Sequence, residues 1–197
     1  MNNCKITGDP VCKCKHKAGK IIVNYEDFKT SMRRVFTDHA VYTSDVIKES
    51  VPILQPDADE NTNRLLENPA DIRFLMEPFL GSVIGQQIQD LFTQHLKLAA
   101  ATLEPARNGR ANELQRAIDE LLTQGIKIGQ LLGSINPNKL NVNNAIIEFE
   151  THNQFVVQLV SLRSKDMYQE YIDTYDIYFN HMMQLSDTIT NALVVEC

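Results

Sequence analysis

The sequence has no tryptophan, only 8 glycines and 7 prolines among its 197 residues, and no long apolar run. So little glycine and proline excludes a collagen-like or proline-rich chain and disfavours a turn-dense all-β fold. No stretch of about 18 apolar residues is free of charge, so the sequence predicts no membrane-spanning helix. The N-terminus lacks the apolar segment of a secretory signal peptide, and we therefore expect an intracellular or virion location.

No established catalytic motif is present either. The serines lack a G-x-S-x-G context, and neither G-x-G-x-x-G nor H-E-x-x-H occurs, although esterases, dinucleotide-binding enzymes and zinc proteases depend on these patterns. The residues therefore favour a protein that is not an enzyme.

Charge is divided unevenly along the chain. The first 20 residues hold five lysines and one acidic residue, whereas the whole chain has a formal net charge of −6. We therefore distinguish a basic, cysteine- and lysine-rich N-terminal arm over residues 1–24 from a helical domain over residues 25–197. The acidic body is a poor phosphate binder, so no specific nucleic acid is expected. The arm is either a solvated tail or a segment that docks on an acidic surface, of this protein itself or of a partner protein.

Apolar residues recur at helical spacing from residue 25 onward. They predict long helices over residues 25–49, 82–103, 110–132, 141–162 and 165–193, and a short helix over residues 59–67. Asn68 followed by Pro69 is interpreted as a helix cap and the first residue of a new helix. The sequence thus predicts an all-α, antiparallel up-and-down bundle of four to five long helices plus short connecting helices.

Two glycines interrupt the apolar face of the third long helix. Gly125 and Gly129 are four residues apart, so they lie on the same side of the helix. Because glycine has no Cβ, this side can accept the backbone of a neighbouring helix at short range. We expect a close helix–helix contact there.

Four of the five histidines are distinguished by their placement. Each falls near the middle of a different long helix, on or beside the apolar stripe, and each follows an aromatic residue by three positions. The pairs are Phe36 and His39, Phe92 and His95, Phe149 and His152, and Tyr178 and His181. Residues three apart share one side of a helix. We therefore expect the four imidazoles to face the bundle interior near one level.

Two interpretations of His39, His95, His152 and His181 stay open. Facing imidazoles bind transition metals, with zinc and iron as the candidate cofactors. The carboxylate-bridged di-iron chemistry of helical bundles is excluded, because it needs Glu three residues before His, where this chain has aromatic residues. Alternatively, the four rings form a hydrogen-bonded polar layer that determines helix pairing, and no cofactor is bound.

The arm carries a second set of potential metal ligands. Cys4, Cys12, Cys14 and His16 could together hold zinc. However, single residues separate the last three, whereas structural zinc sites usually have two to four residues between paired ligands. A disulfide involving two of Cys4, Cys12, Cys14 and Cys197, or free thiols, are the alternatives.

Several segments of the helical domain resemble a family of small all-helical proteins from bacteria and large DNA viruses. They are Thr37–Thr43, Arg64–Ile72, Gln94–Leu96, Asn136–Asn138 and Leu185–Asp187. The resemblance implies a helical fold and no particular activity. In the bacterial members, Glu precedes the second and third helical histidines, whereas Gln94 and Thr151 stand there in this chain.

These observations combine into one functional prediction and one alternative. The charge division and the resemblance predict a non-enzymatic structural or assembly protein, a minor component of a large DNA virus particle. Its basic arm would dock on capsid or assembly proteins. The alternative is a helical bundle that binds a metal ion or small ligand with one histidine from each of four helices.

Overall fold

The computed structural model describes residues 24–50 and 57–194, except for the side chain of residue 58. The helices are α1 (Tyr25–Glu49), α2 (Ala58–Ala101), α3 (Leu103–Arg107), α4 (Ala111–Ile135), α5 (Val142–Ser164) and α6 (Tyr168–Leu193). No strand occurs in either described range, so the predicted all-α bundle is confirmed. The predicted bounds of α1, α4, α5 and α6 agree with the structure to within three residues.

The predicted arm lies outside the described residues, except for its last residue. The side-chain oxygen of Asn24 accepts a hydrogen bond from the backbone N–H of Glu26 at 3.0 Å, so Asn24 caps α1. The ligand set Cys4, Cys12, Cys14 and His16 lies outside the described residues, as does Cys197.

Helix α2 consists of two helical segments that fold back on each other at Gly81. This glycine has φ 79° and ψ 164°, a conformation open to glycine because it has no Cβ. Across the fold, Arg73 Nη1 donates to Gln89 Oε1 at 3.0 Å. In one straight helix, residues 16 apart would be separated by about 24 Å. The two segments of α2 are therefore antiparallel neighbours.

The helix boundary predicted at Asn68 and Pro69 is wrong. The first segment of α2 continues through Pro69, and Asn68 is fully buried. The cause is tertiary: the Asn68 side chain is hydrogen-bonded to groups of α1 rather than capping its own helix. The local signal of an Asn-Pro pair for a helix boundary is overridden here by these partners on the neighbouring helix.

Helices α1 and α6 run antiparallel along one side of the bundle. Near the start of α1, Arg33 Nε donates to Asp187 Oδ1 at 2.8 Å. Farther along, the hydroxyls of Ser44 and Tyr171 lie 2.9 Å apart. Residue numbers rise along α1 as they fall along α6, which is the up-and-down arrangement of the prediction.

Helices α4 and α5 pack closely against each other through three glycines spaced four residues apart. A Cβ on Gly129 would lie 2.6 Å from Ile146 Cα, and one on Gly133 would lie 2.5 Å from Val142 Cα. Gly125 meets the side chain of Asn153. The close approach predicted at Gly125 and Gly129 is therefore confirmed, and Gly133 extends it by one turn.

A single large apolar core runs through α1, α2, α4, α5 and α6. Within the described ranges, no helix combines the length and the apolar character needed to cross a membrane. The core matters for function because it surrounds the four helical histidines.

Candidate metal centre

Three histidines from three different helices meet in the core. His39 of α1, His95 of the second α2 segment and His152 of α5 are each 2% exposed. One ligand nitrogen from each ring lies within 4.8 Å of the others. The ring centroids are 5.3 to 6.3 Å apart, and the Nε2 atoms of His95 and His152 are separated by 3.3 Å. We call these three residues the histidine cluster.

The aromatic partners of the four histidines are buried too. Phe92 and Phe149 pack edge to face, with centroids 5.9 Å apart and an interplanar angle of 84°. Phe36 and Tyr178 are at most 1% exposed. The expectation that aromatic and histidine share the inward side of each helix is confirmed. The cluster therefore lies in apolar surroundings, where unpaired polar groups are costly.

Asn68 holds His39 in a defined orientation. Asn68 Oδ1 lies 3.0 Å from His39 Nδ1, while Asn68 Nδ2 donates to the backbone carbonyl of Val35 at 2.8 Å. An amide oxygen only accepts hydrogen bonds, so the proton of the neutral His39 ring is on Nδ1. The lone pair of Nε2 is thus free for a metal ion, an arrangement typical of metal-ligating histidines.

The sequence interpretation missed this role of Asn68. A signal was present: Asn68 lies three residues after Leu65 and four before Ile72, and both are buried. Asn68 therefore belongs to the apolar stripe of its helix, where a polar residue needs a partner on another helix.

The other two rings of the cluster are incompletely hydrogen-bonded. The Nδ1 atoms of His95 and His152 are buried and have no hydrogen-bond partner. A neutral imidazole carries one N–H. If one ring donates from Nε2 to the other Nε2, the accepting ring has its proton on an unpartnered Nδ1. A layer held by hydrogen bonds alone therefore leaves a buried N–H unpaired, at a cost of about 1–3 kcal/mol.

Burial keeps the cluster uncharged at neutral pH. Desolvation, together with the smaller effect of the nearby His39, lowers the pKa of His95 to about 3. Desolvation also lowers the pKa of His39, against the opposing effect of its hydrogen bond with Asn68. The pKa of His152 is lowered by burial first and then by the neighbouring histidines. Neutral imidazoles offer lone pairs, which is the form that binds metal ions.

The fourth predicted ligand, His181, lies beside the cluster rather than in it. Its ring stacks on His152, with centroids 6.3 Å apart and an interplanar angle of 25°. Its Nδ1 lies 3.8 Å from Glu148 Oε2. The structure thus brings three of the four predicted histidines together and places His181 on the side of His152, next to a carboxylate.

A groove of about 350 Å³ lies elsewhere, between α4 and α5. Its lining includes Ile118, Leu122, Val157 and Leu162 and contains none of the four histidines. The groove therefore does not supply a binding pocket for a substrate at the cluster.

Comparisons with known proteins identify no relative of this chain. No family model, no curated protein and no solved structure gives a significant match. The resemblance to small all-helical proteins of bacteria and large DNA viruses therefore stays a prediction, and the candidate site is interpreted from its own geometry.

Proposed function

We propose that this protein binds a transition metal ion in its core through His39, His95 and His152, and that Zn²⁺ is the ion that fits best. The observation that carries this proposal is the convergence of three buried, neutral imidazoles from three helices, with ligand nitrogens within 4.8 Å of one another. Imidazole nitrogens are common ligands of zinc and of other first-row transition metals.

The separation of the two closest nitrogens matches both a hydrogen bond between the rings and two ligands of a tetrahedral ion. Zinc–nitrogen bonds are about 2.0–2.1 Å long, so two ligands at the tetrahedral angle are about 3.3 Å apart. The Nε2 atoms of His95 and His152 are 3.3 Å apart. Adjacent ligands of an octahedral ion with the same bond length would be about 3 Å apart. His39 supplies the third nitrogen of the set, within 4.8 Å of the other two.

A bound metal ion would compensate for the incomplete hydrogen bonding of the histidine cluster. Coordination through Nε2 leaves the Nδ1–H groups of His95 and His152 without partners, at about 1–3 kcal/mol each. Binding of zinc to the folded protein stabilises it in proportion to the affinity and concentration of the ion, and this gain offsets that cost. Hydrogen bonds between the rings alone offer no comparable compensation.

Burial of the cluster supports a structural role for the ion. Three protein ligands leave a fourth position for water or another small ligand. Each ring is only 2% exposed, so a substrate of ordinary size does not reach that position. A bound ion would join α1, α2 and α5.

The direct test is metal stoichiometry. Protein stripped with a chelator and dialysed against Zn²⁺ is expected to retain one zinc per chain by elemental analysis. His95→Ala and His152→Gln are expected to lose that zinc while circular dichroism shows an intact helical fold. Gln124→Leu, which alters a buried polar residue outside the cluster, is the matched control and should keep it. Wild-type protein without stoichiometric metal would contradict the proposal, as would either histidine variant that binds zinc normally.

The orientation of His39 gives a second prediction. Asn68→Ala should weaken zinc binding by about 10–100-fold, since loss of a group that orients a ligand has effects of that size. It should also lower the free energy of unfolding by about 2 kcal/mol, because it removes the partners of His39 and of the Val35 carbonyl. Zinc titration and urea unfolding measure the two effects. Asn63→Ala, at an exposed position of the same helix, should change neither, and equal effects of the two substitutions would rule out the orienting role.

The structural or assembly role in a virus particle stays a prediction from the sequence. The same holds for docking of the arm on capsid or assembly proteins and for an intracellular or virion location. A zinc-stabilised bundle is compatible with that role, because a metal cross-link stabilises a small protein without exposing chemistry at its surface.

A further inference from the structure

We infer that His181 and Glu148 form an outer metal-binding position, through which ions reach and leave the histidine cluster. This inference rests on the proposed function, because it assigns a route to the same buried site. It starts from a spatial problem: the cluster histidines are 2% exposed, so an ion needs a path through the packed helices.

The gap between the two side chains has the size of a metal site. His181 Nδ1 and Glu148 Oε2 are 3.8 Å apart, which is too long for a direct hydrogen bond. Two metal–ligand bonds of about 2.0–2.2 Å span that gap with an open angle at the ion. One imidazole nitrogen and one carboxylate oxygen are an acceptable partial ligand set for zinc, with water at the remaining positions.

The pair lies between solvent and the cluster. The Glu148 side chain is 36% exposed and that of His181 is 9% exposed, whereas His152 is 2% exposed. The His181 ring stacks directly on His152. Exposure thus decreases stepwise from Glu148 through His181 to the cluster, which is the order that an incoming ion would follow.

The second nitrogen of His181 supports a transfer role. While Nδ1 is near Glu148, Nε2 is buried and has no hydrogen-bond partner. A buried polar atom without a partner is uncommon and calls for an explanation. An imidazole with one nitrogen beside a surface carboxylate and the other unpaired in the interior can bind an ion first on the outside and then, after rotation of its side chain, on the inside.

Permanent coordination by His181 fits the geometry less well. The three ligand atoms that lie mutually within 4.8 Å come from His39, His95 and His152, and His181 is not in that group. We therefore assign equilibrium binding to the cluster and the rate of exchange to the outer pair.

The two roles are separated by kinetics. Stopped-flow mixing of the metal-free full chain with Co²⁺, a tetrahedral substitute for zinc that absorbs visible light, measures association, and a chelator chase measures dissociation. Glu148→Gln and His181→Gln are expected to slow both rates by about tenfold, in the range by which charged clefts alter association. The dissociation constant should change less than about threefold, because a route affects both directions equally. Glu150→Gln, which removes the same charge two residues away on α5, should leave both rates unchanged.

Each other outcome overturns the inference in a recognisable way. Unchanged rates in both variants would show that ions use a different route. A weaker equilibrium affinity with an altered Co²⁺ spectrum in His181→Gln would make His181 a fourth permanent ligand. Equal slowing by Glu150→Gln would show that the rates depend on general surface charge rather than on the outer pair. Failure of the wild-type protein to bind Co²⁺ or Zn²⁺ at all would instead overturn the proposed function itself.

Discussion

Lowering the pH of the metal-free protein from about 6.5 to 5 is expected to reduce its free energy of unfolding by about 3 kcal/mol, a large fraction of the stability of an ordinary domain. The cause is the burial of His95, whose pKa is lowered to about 3, and of His152, whose pKa is also strongly lowered. Well below its pKa in the unfolded chain, each such histidine lowers the free energy of unfolding by about 1.4 kcal/mol for each pH unit of acidification. Urea unfolding at a series of pH values measures the effect.

The sign follows from proton binding. In the unfolded chain the two histidines take up protons near pH 6.5, whereas in the folded protein they stay neutral to much lower pH. The unfolded state therefore binds more protons below pH 6.5, and stability falls as the pH falls. The contribution of each histidine to the free energy of unfolding is complete above its pKa in the unfolded chain. It is lost as the pH falls toward its lower pKa in the folded protein. Arg33 lowers the pKa of Asp187 from 3.8, so that pair affects only a more acidic range.

A variant isolates the histidine contribution. His95→Gln removes one of the two groups, so the average slope of the free energy of unfolding against pH between 6.5 and 5 should fall by about 1 kcal/mol per pH unit. Gln124→Leu, which alters a buried residue but removes no titratable group, should leave the slope unchanged. Equal stability of the wild-type protein at pH 6.5 and 5 would contradict the assigned burial of the cluster.

Replacing Gly129 by alanine is expected to destabilise the protein by about 2–4 kcal/mol, a large effect for one methyl group. Helix propensity predicts the opposite, since alanine is favoured over glycine by about 1 kcal/mol within a helix. Packing dominates here because the new Cβ would lie 2.6 Å from Ile146 Cα and 2.7 Å from Ile146 N. Backbone atoms cannot rotate away, so α4 and α5 would have to separate.

Thermal and urea unfolding of Gly129→Ala test this sign directly. Gln130→Ala, at an exposed neighbouring position of the same helix, is the control and should change stability by no more than about 0.5 kcal/mol. A stabilised Gly129→Ala protein would mean that α4 and α5 are not in backbone contact at this position.

Much of the fold could be predicted because the regular spacing of apolar residues identifies long amphipathic helices. The stripe of α1 predicted its bounds to the residue, from Tyr25 to Glu49. The prediction failed at Asn68, where local rules indicate a cap, because the partners of that side chain belong to a helix about 30 residues away in the chain. Local sequence signals do not contain such partners.

The candidate site shows the same division. Histidines on the inward side of four helices were recognisable from the three-residue spacing after an aromatic residue. Their separation into a cluster of three and an outer His181 was not, because helix register and rotation decide which rings meet. A shift of one turn moves a ring by about 5 Å along the bundle, more than the 4.8 Å that encloses the cluster nitrogens.

The sequence by itself determined the helical class, the inward side of each long helix and the residue types available in the core. Those properties depend on periodicity and on chemistry carried by single residues. Only the tertiary structure decided that Asn68 orients His39, that Gly133 joins the α4–α5 contact, and that Glu148 stands beside His181. These are distances between helices, and they are determined by how whole side-chain surfaces fit together, which no short stretch of sequence specifies.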